Sequence, residues 1–184
     1  MARKFQRHLG GIESPTYKTE TGFITGGATL IEAGRPVMYK SASPATDIHS
    51  PAPILLSDGT SCIGLLNQDI VPARTASTLG YTVGAKADPN SRRILTHEAE
   101  EGDVCAVVIG PAYCTIADEC YAGTPAAGDL LYATNAGKLT ATFGSPGASA
   151  GNLAVAVCES SPDSDGNIRI LLLGPFATYY SYFG

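Results

Sequence analysis

The sequence predicts an all-β protein, a compact antiparallel β-barrel or sandwich with an extended N-terminal arm and one long loop excursion. Hydrophobic residues make up 44% of the 184-residue chain, but 21 glycines and 12 prolines cut them into pieces of strand length. Each piece is bounded by Gly, Pro, Asn or Asp, the residues that turn a chain between antiparallel strands. Charged residues are only 16%, a composition that favours strands over helices. The length suits one domain with a real core.

Residues 1–22 show no consistent periodicity: they contain Gly10-Gly11, Ser14-Pro15 and the alternation Lys18-Thr19-Glu20-Thr21. Without an apolar face of its own, such a segment orders only along another surface, so it reads as an arm that is disordered in the free protein. Its basic end, Arg3, Lys4 and Arg7 flanked by Phe5 and Leu9, either contacts an acidic surface or is a solvated terminus.

The barrel domain is assigned to residues 23–175. Phe23-Ile24, Ala28 to Ile31 and Val37-Met38-Tyr39 open it, punctuated by Gly26-Gly27 and Ala33-Gly34-Arg35-Pro36. The loop from Ser43-Pro44 to Pro53 cannot be an interior strand, because its prolines lack donors. Ile54-Leu55-Leu56 and Ser61 to Leu66 read as a hairpin about Asp58-Gly59. Residues 71–93, polar and rich in Ala, Thr, Gly and Asn, form the long excursion, a candidate contact loop. Ile94 to Glu101 has helical composition for a turn or two.

The regular part follows. Val104 to Ile109 and Tyr113 to Ile116 flank a predicted turn at Gly110-Pro111. Ala127-Gly128-Asp129 leads into Leu130-Leu131-Tyr132, and Asn135-Ala136-Gly137 leads into Lys138 to Phe143. Leu153 to Cys158 and Ile168 to Leu173 close the domain around the tight turn Asp165-Gly166-Asn167. Residues 176–184 form an aromatic tail: Phe176, Tyr179, Tyr180, Tyr182 and Phe183. Such a tail packs on its own barrel or buries in a neighbouring subunit.

Net charge is −5, which argues against nucleic acid as a partner, since phosphate neutralisation needs clustered Lys and Arg. No run approaches a membrane span, and Met1 to Gly11 lacks the apolar centre of a signal peptide. A soluble protein made in the cytoplasm is expected. The cysteines, Cys62, Cys105, Cys114, Cys120 and Cys158, are odd in number with no C-x-x-C pair; they read as reduced, mostly core residues.

Catalytic signatures are missing from the sequence. Gly144-Ser145-Pro146-Gly147 puts proline after the serine, where an oxyanion hole needs an N–H. Gly137-Lys138 lacks the remainder of a phosphate loop. Glu98, Glu100, Glu101 and Asp103 form the only dense carboxylate group, read as a solvated loop before a strand in preference to a cation site. Asp163-Ser164-Asp165-Gly166-Asn167 lacks the closing Glu of a calcium loop and reads as a hairpin turn. No cofactor, metal or enzymatic activity is expected. An enzyme reading would have to rest on the acidic cluster.

Glu101-Gly102-Asp103-Val104, Ala127-Gly128-Asp129-Leu130-Leu131-Tyr132 before Asn135-Ala136-Gly137-Lys138-Leu139, and the closing Leu171-Leu172-Leu173-Gly174 resemble the small all-β decoration, or cement, proteins of tailed-bacteriophage capsids. The resemblance covers residues 95–174, and 23–70 more loosely. It implies a non-enzymatic structural protein on the capsid exterior of the virion, a homotrimer whose partner is the major capsid protein and which clamps neighbouring capsid subunits. An extended terminal arm often adds a strand to the capsid protein in that family. Arg3, Lys4, Phe5, Arg7 and Leu9 then become capsid-contact candidates, and Phe176, Tyr179, Tyr180, Tyr182 and Phe183 subunit-interface candidates. The alternative is a virion adhesin or head-fibre component that binds the host surface through the loops at 43–53 or 71–93.

Overall fold

The computed structural model describes residues 5–19, 23–24, 30–40, 52–59, 61–72, 98–143 and 154–174. Expectations for the aromatic tail, the loop at 43–51 and the excursion beyond Pro72 lie outside the described residues. The protein is all-β: a ten-stranded, mostly antiparallel sheet curled into a half-barrel, with a separate two-stranded ribbon.

In chain order the strands are β1 (Gln6–Thr19), β2 (Pro36–Tyr39), β3 (Ala52–Leu56), β4 (Gly64–Leu66), β5 (Asp69–Val71), β6 (Glu98–Glu100), β7 (Val104–Ile116), β8 (Tyr121–Ala122), β9 (Leu130–Ala133), β10 (Leu139–Thr140), β11 (Ala156–Cys158) and β12 (Ile168–Leu172). A 3-10 turn, Asp118–Cys120, precedes β8. The sheet order is β1-β3-β2-β4-β7-β12-β11-β9-β10-β8, and β1 also pairs with β7. That extra pairing closes β1, β3, β2, β4 and β7 into a ring. From β7 the sheet continues as an open wing through β12 to β8.

Two apolar cores follow from this layout. Tyr17, Ile31, Val37, Ile54, Leu66, Ile70, Cys105 and Val107 fill the ring side. Phe5, Leu65, Val108, Cys114, Ile116, Leu131, Leu139, Ile168, Ile170 and Leu172 fill the wing side. Alternation sorts them: in β12, Ile168, Ile170 and Leu172 are buried while Arg169 is exposed and Leu171 half-buried. Completely burying each Leu or Ile side chain contributes about 1.5–3 kcal/mol.

The N-terminal segment departs from expectation. Residues 6–19 are a 14-residue strand, antiparallel to β7 and, at Tyr17 to Thr19, parallel to β3. Phe5 is 1% exposed within the wing core and Tyr17 is 6% exposed within the ring core. The segment has apolar anchors, but register shifts at Arg7/Leu9, Gly10/Ile12 and Ser14/Tyr17 break its alternation. A bulge resets which face a side chain meets, so the period of two disappears from the sequence. Gly10 and Gly11, at φ +72° and +73°, supply the middle shift, in a conformation that favours glycine.

Four local expectations also change. Gly110-Pro111 is not a hairpin turn: β7 runs unbroken from Val104 to Ile116 through this cis peptide, with β1 beside it. The strands expected to pair about Asp58-Gly59 are separated by β2, which is antiparallel to both. Ser57 N donates to Pro36 O and Ile63 N to Val37 O as the connection crosses β2. Glu98 to Glu100 is strand β6, parallel to β5, where a helical turn was expected. Pro53, placed by the sequence in a loop, lies in β3, and its carbonyl accepts from Lys40 N. The hairpins about Asn135-Ala136-Gly137 and Asp165-Gly166-Asn167 form as expected, joining β9 to β10 and β11 to β12.

Arg35 ties the ring to the wing. Its guanidinium donates to the carbonyls of Gly137 (2.5 Å), Ala136 (2.7 Å) and Glu119 (3.3 Å), and pairs with Glu32 at 3.4 Å.

Two substitutions test this architecture. Phe5→Ala should destabilise the protein by about 3–5 kcal/mol in chemical denaturation; a loss under about 1 kcal/mol would return residues 1–22 to the status of a detachable arm. Gly64→Ala should cost about 1–3 kcal/mol, because the new Cβ would collide with the Val108 carbonyl oxygen across the β4–β7 pair.

Candidate docking surface

Residues directly opposite one another on neighbouring antiparallel strands project from the same face. Four such pairings run end to end across the wing: Leu9 with Tyr113, Tyr113 with Leu171, Leu171 with Val157, and Val157 with Leu130. They form one apolar row over β1, β7, β12, β11 and β9. Leu9 is 68% exposed, Tyr113 40% and Leu130 47%, and Leu171 and Val157 are half-buried. With strands about 4.8 Å apart, the row is about 19 Å long. Contiguous exposed apolar surface is the kind that contact sites use, which makes the row a candidate docking surface.

The row is rigidly mounted, since the side chains that alternate with it, Cys114, Ile170 and Leu131, are fully buried. At its β9 end, the Ala126 N–H donates to Asp129 Oδ2 (2.8 Å), Gly128 N to Cys158 O (2.7 Å) and Cys158 N to Asp129 O (2.8 Å). The Ala-Gly-Asp-Leu-Leu-Tyr motif therefore works as a turn that delivers Leu130 to the surface. Tyr132, two residues along β9, meets Phe143 edge-on with ring centroids 5.3 Å apart, and Phe143 is 63% exposed. A polar margin lies one pair along from the row, where Thr115 is opposite both Gln6 and Arg169. His8 Nε2 and Thr115 Oγ1 are 2.7 Å apart there.

The reactive groups are otherwise engaged. Burial pushes the thiols of Cys62, Cys105 and Cys120 up to about 12 and that of Cys114 to about 11, so they stay protonated at neutral pH. Cys105, Cys114, Cys120 and Cys158 are buried and Cys62 half-buried. In the acidic segment, Glu101 Oε1 accepts from Ile24 N at 3.2 Å, and Thr19 Oγ1 accepts from Gly102 N at 2.8 Å. That segment fastens β6 to the start of β7. Among the described residues, no three His, Cys, Asp or Glu side chains are grouped to hold a metal ion.

Of the expected contact residues, Leu9 begins the row. Arg7 is exposed on β1, and its guanidinium donates to the Gly10 and Gly11 carbonyls at 3.2 and 3.3 Å. Phe5 is a core residue, unavailable to a partner. Arg3, Lys4, Phe176, Tyr179, Tyr180, Tyr182 and Phe183 lie outside the described residues. Sequence reasoning missed Tyr113, Leu130, Val157 and Leu171 as a surface, having placed all four within strands without assigning their faces. The outward alternation of Tyr113 with Thr115, and of Leu171 with Arg169, was the available signal. Compared with known proteins, the sequence matches no family model and no curated protein.

The β11–β12 hairpin has its own electrostatic lock. Asp163 Oδ1 accepts from Asn167 N (2.8 Å) and Asp165 N (2.9 Å), and these bonds hold its carboxyl below the usual carboxylate range. A depressed folded-state pKa stabilises the fold above the unfolded value of about 3.9 and stops doing so as pH falls through the folded value. Asp163→Ala should therefore lower the thermal midpoint at pH 7, with the gap to the parent narrowing below about pH 4. A gap independent of pH would show that the carboxylate charge plays no part.

Proposed function

We propose that this chain is a structural, non-enzymatic virion protein that binds the outer surface of a bacteriophage capsid as a homotrimer and stabilises it by clamping neighbouring capsid subunits. The observation that carries the reading is the exposed apolar row across five strands of a well-packed sheet, a surface suited to protein–protein assembly. The resemblance of residues 101–104, 127–139 and 171–174 to capsid decoration proteins supplies the partner. Residues 127–139 and 171–174 build part of the wing on which the row lies, and residues 101–104 lead into β7. Capsid contact is assigned to the basic N-terminal end, Arg3, Lys4 and Arg7, which suits an acidic surface.

The test is cosedimentation with expanded capsids, followed by heating. The protein should bind, raise the temperature at which the shells break, and lose about tenfold in affinity, equivalent to about 1.4 kcal/mol, when Arg3, Lys4 and Arg7 are replaced by Glu. Failure to bind, or binding without added resistance to heat, would overturn the reading. Attachment of the isolated protein to host cells would favour the adhesin or head-fibre alternative.

A further inference from the structure

We infer that the apolar row on the wing is the seat for the aromatic C-terminal segment, residues 176–183, of a second copy of this chain. The inference rests on the homotrimer part of that reading and not on its capsid partner, since it concerns only contacts between copies. The described chain ends at Gly174, three residues past Leu171, the middle member of the row. Residues 176–184 carry five aromatic side chains, enough to cover an apolar strip. Their nine residues reach about 30 Å when extended, against about 19 Å for the row.

Two features favour a neighbour's row over the chain's own. The row runs across the strands, so to lie along it a chain leaving β12 would have to reverse and then turn through a right angle within a few residues. A neighbouring copy can receive the segment with neither bend. The segment is also apolar on both sides: in extended form, alternation places Phe176, Tyr180 and Tyr182 on one face and Tyr179 and Phe183 on the other. A strand apolar on both faces is one buried on both faces. A single row covers one face, and the junction between two copies covers both. Each copy gives one segment and receives one, a head-to-tail contact that makes a ring when the rotation closes, as in a trimer.

The experiment is light scattering on three forms of the full chain: the parent, a tail variant (Phe176→Ser, Tyr180→Ser, Tyr182→Ser) and a row variant (Tyr113→Lys, Leu130→Lys). The row substitutions lie on the outer face, and circular dichroism checks the fold. If the Lys variant unfolds, Tyr113→Ser with Leu130→Ser replaces it. The parent should be oligomeric and each variant should fall to the mass of one chain. Mixing the two variants should restore a two-chain species, because the row variant's intact tail meets the tail variant's intact row. A monomeric parent, an oligomer indifferent to either set of substitutions, or no recovery on mixing would overturn the inference.

Discussion

The pairing of β1 with β7 is the constraint on which the rest of this structure depends. Among the described residues these are the two longest strands, 14 and 13 residues, and both run from the ring into the wing. β7 is bordered by β1 along its length, and on its other edge by β4 at Val107 and Val108 and by β12 from Ala112 to Ile116. Without β1 the ring opens, since β3 loses a neighbour and the path from β3 back to β7 is broken. The wing also loses Phe5 from its core. A contact between residues about a hundred positions apart thus holds both cores, at the loop-closure entropy cost that distant pairings carry.

The same pairing shapes the outer surface. A strand with three register shifts bends and twists more than a regular one, and β1 stays paired with β7 across all three. Leu9 comes opposite Tyr113, which is also opposite Leu171. The row is thus the outer side of the sheet that buries Cys114, Ile170 and Leu172 on its inner side. One face of the sheet supplies the core and the other carries the row, an arrangement open to antiparallel sheets because they tolerate a single covered face.

Polar groups near the interior act as fasteners. Arg35 reaches across with three donations to backbone carbonyls, satisfying acceptors in the β9–β10 turn and the 3-10 turn. Hydrogen bonds from a charged donor contribute more than neutral ones, about 1.5–3 kcal/mol each. The Tyr121 hydroxyl donates to Gly166 O at 2.6 Å and holds the β11–β12 turn against the wing. Thr19 and Glu101 do similar work at the entry to β7. Burial keeps the thiols of Cys62, Cys105, Cys114 and Cys120 protonated, and the carboxylates of Glu101, Asp129 and Asp163 accept from backbone N–H groups.

The sequence alone determined the all-β class, strands β9 to β12 and the two hairpins about Asn135-Ala136-Gly137 and Asp165-Gly166-Asn167. Those features are local: a glycine with positive φ, an Asx turn and a run of alternating residues act within a few positions. Only the tertiary structure decided that residues 6–19 are the strand that closes the ring, because bulges erase the alternation that would announce it. Only the fold placed β2 between β3 and β4, since strand order is set by which apolar faces meet and leaves no mark on neighbouring residues. The row was legible in fragments, as Tyr113 beside Thr115 and Leu171 beside Arg169, but its continuity was not. It joins residues from five strands, and register across a sheet is fixed by the side chains that share its core.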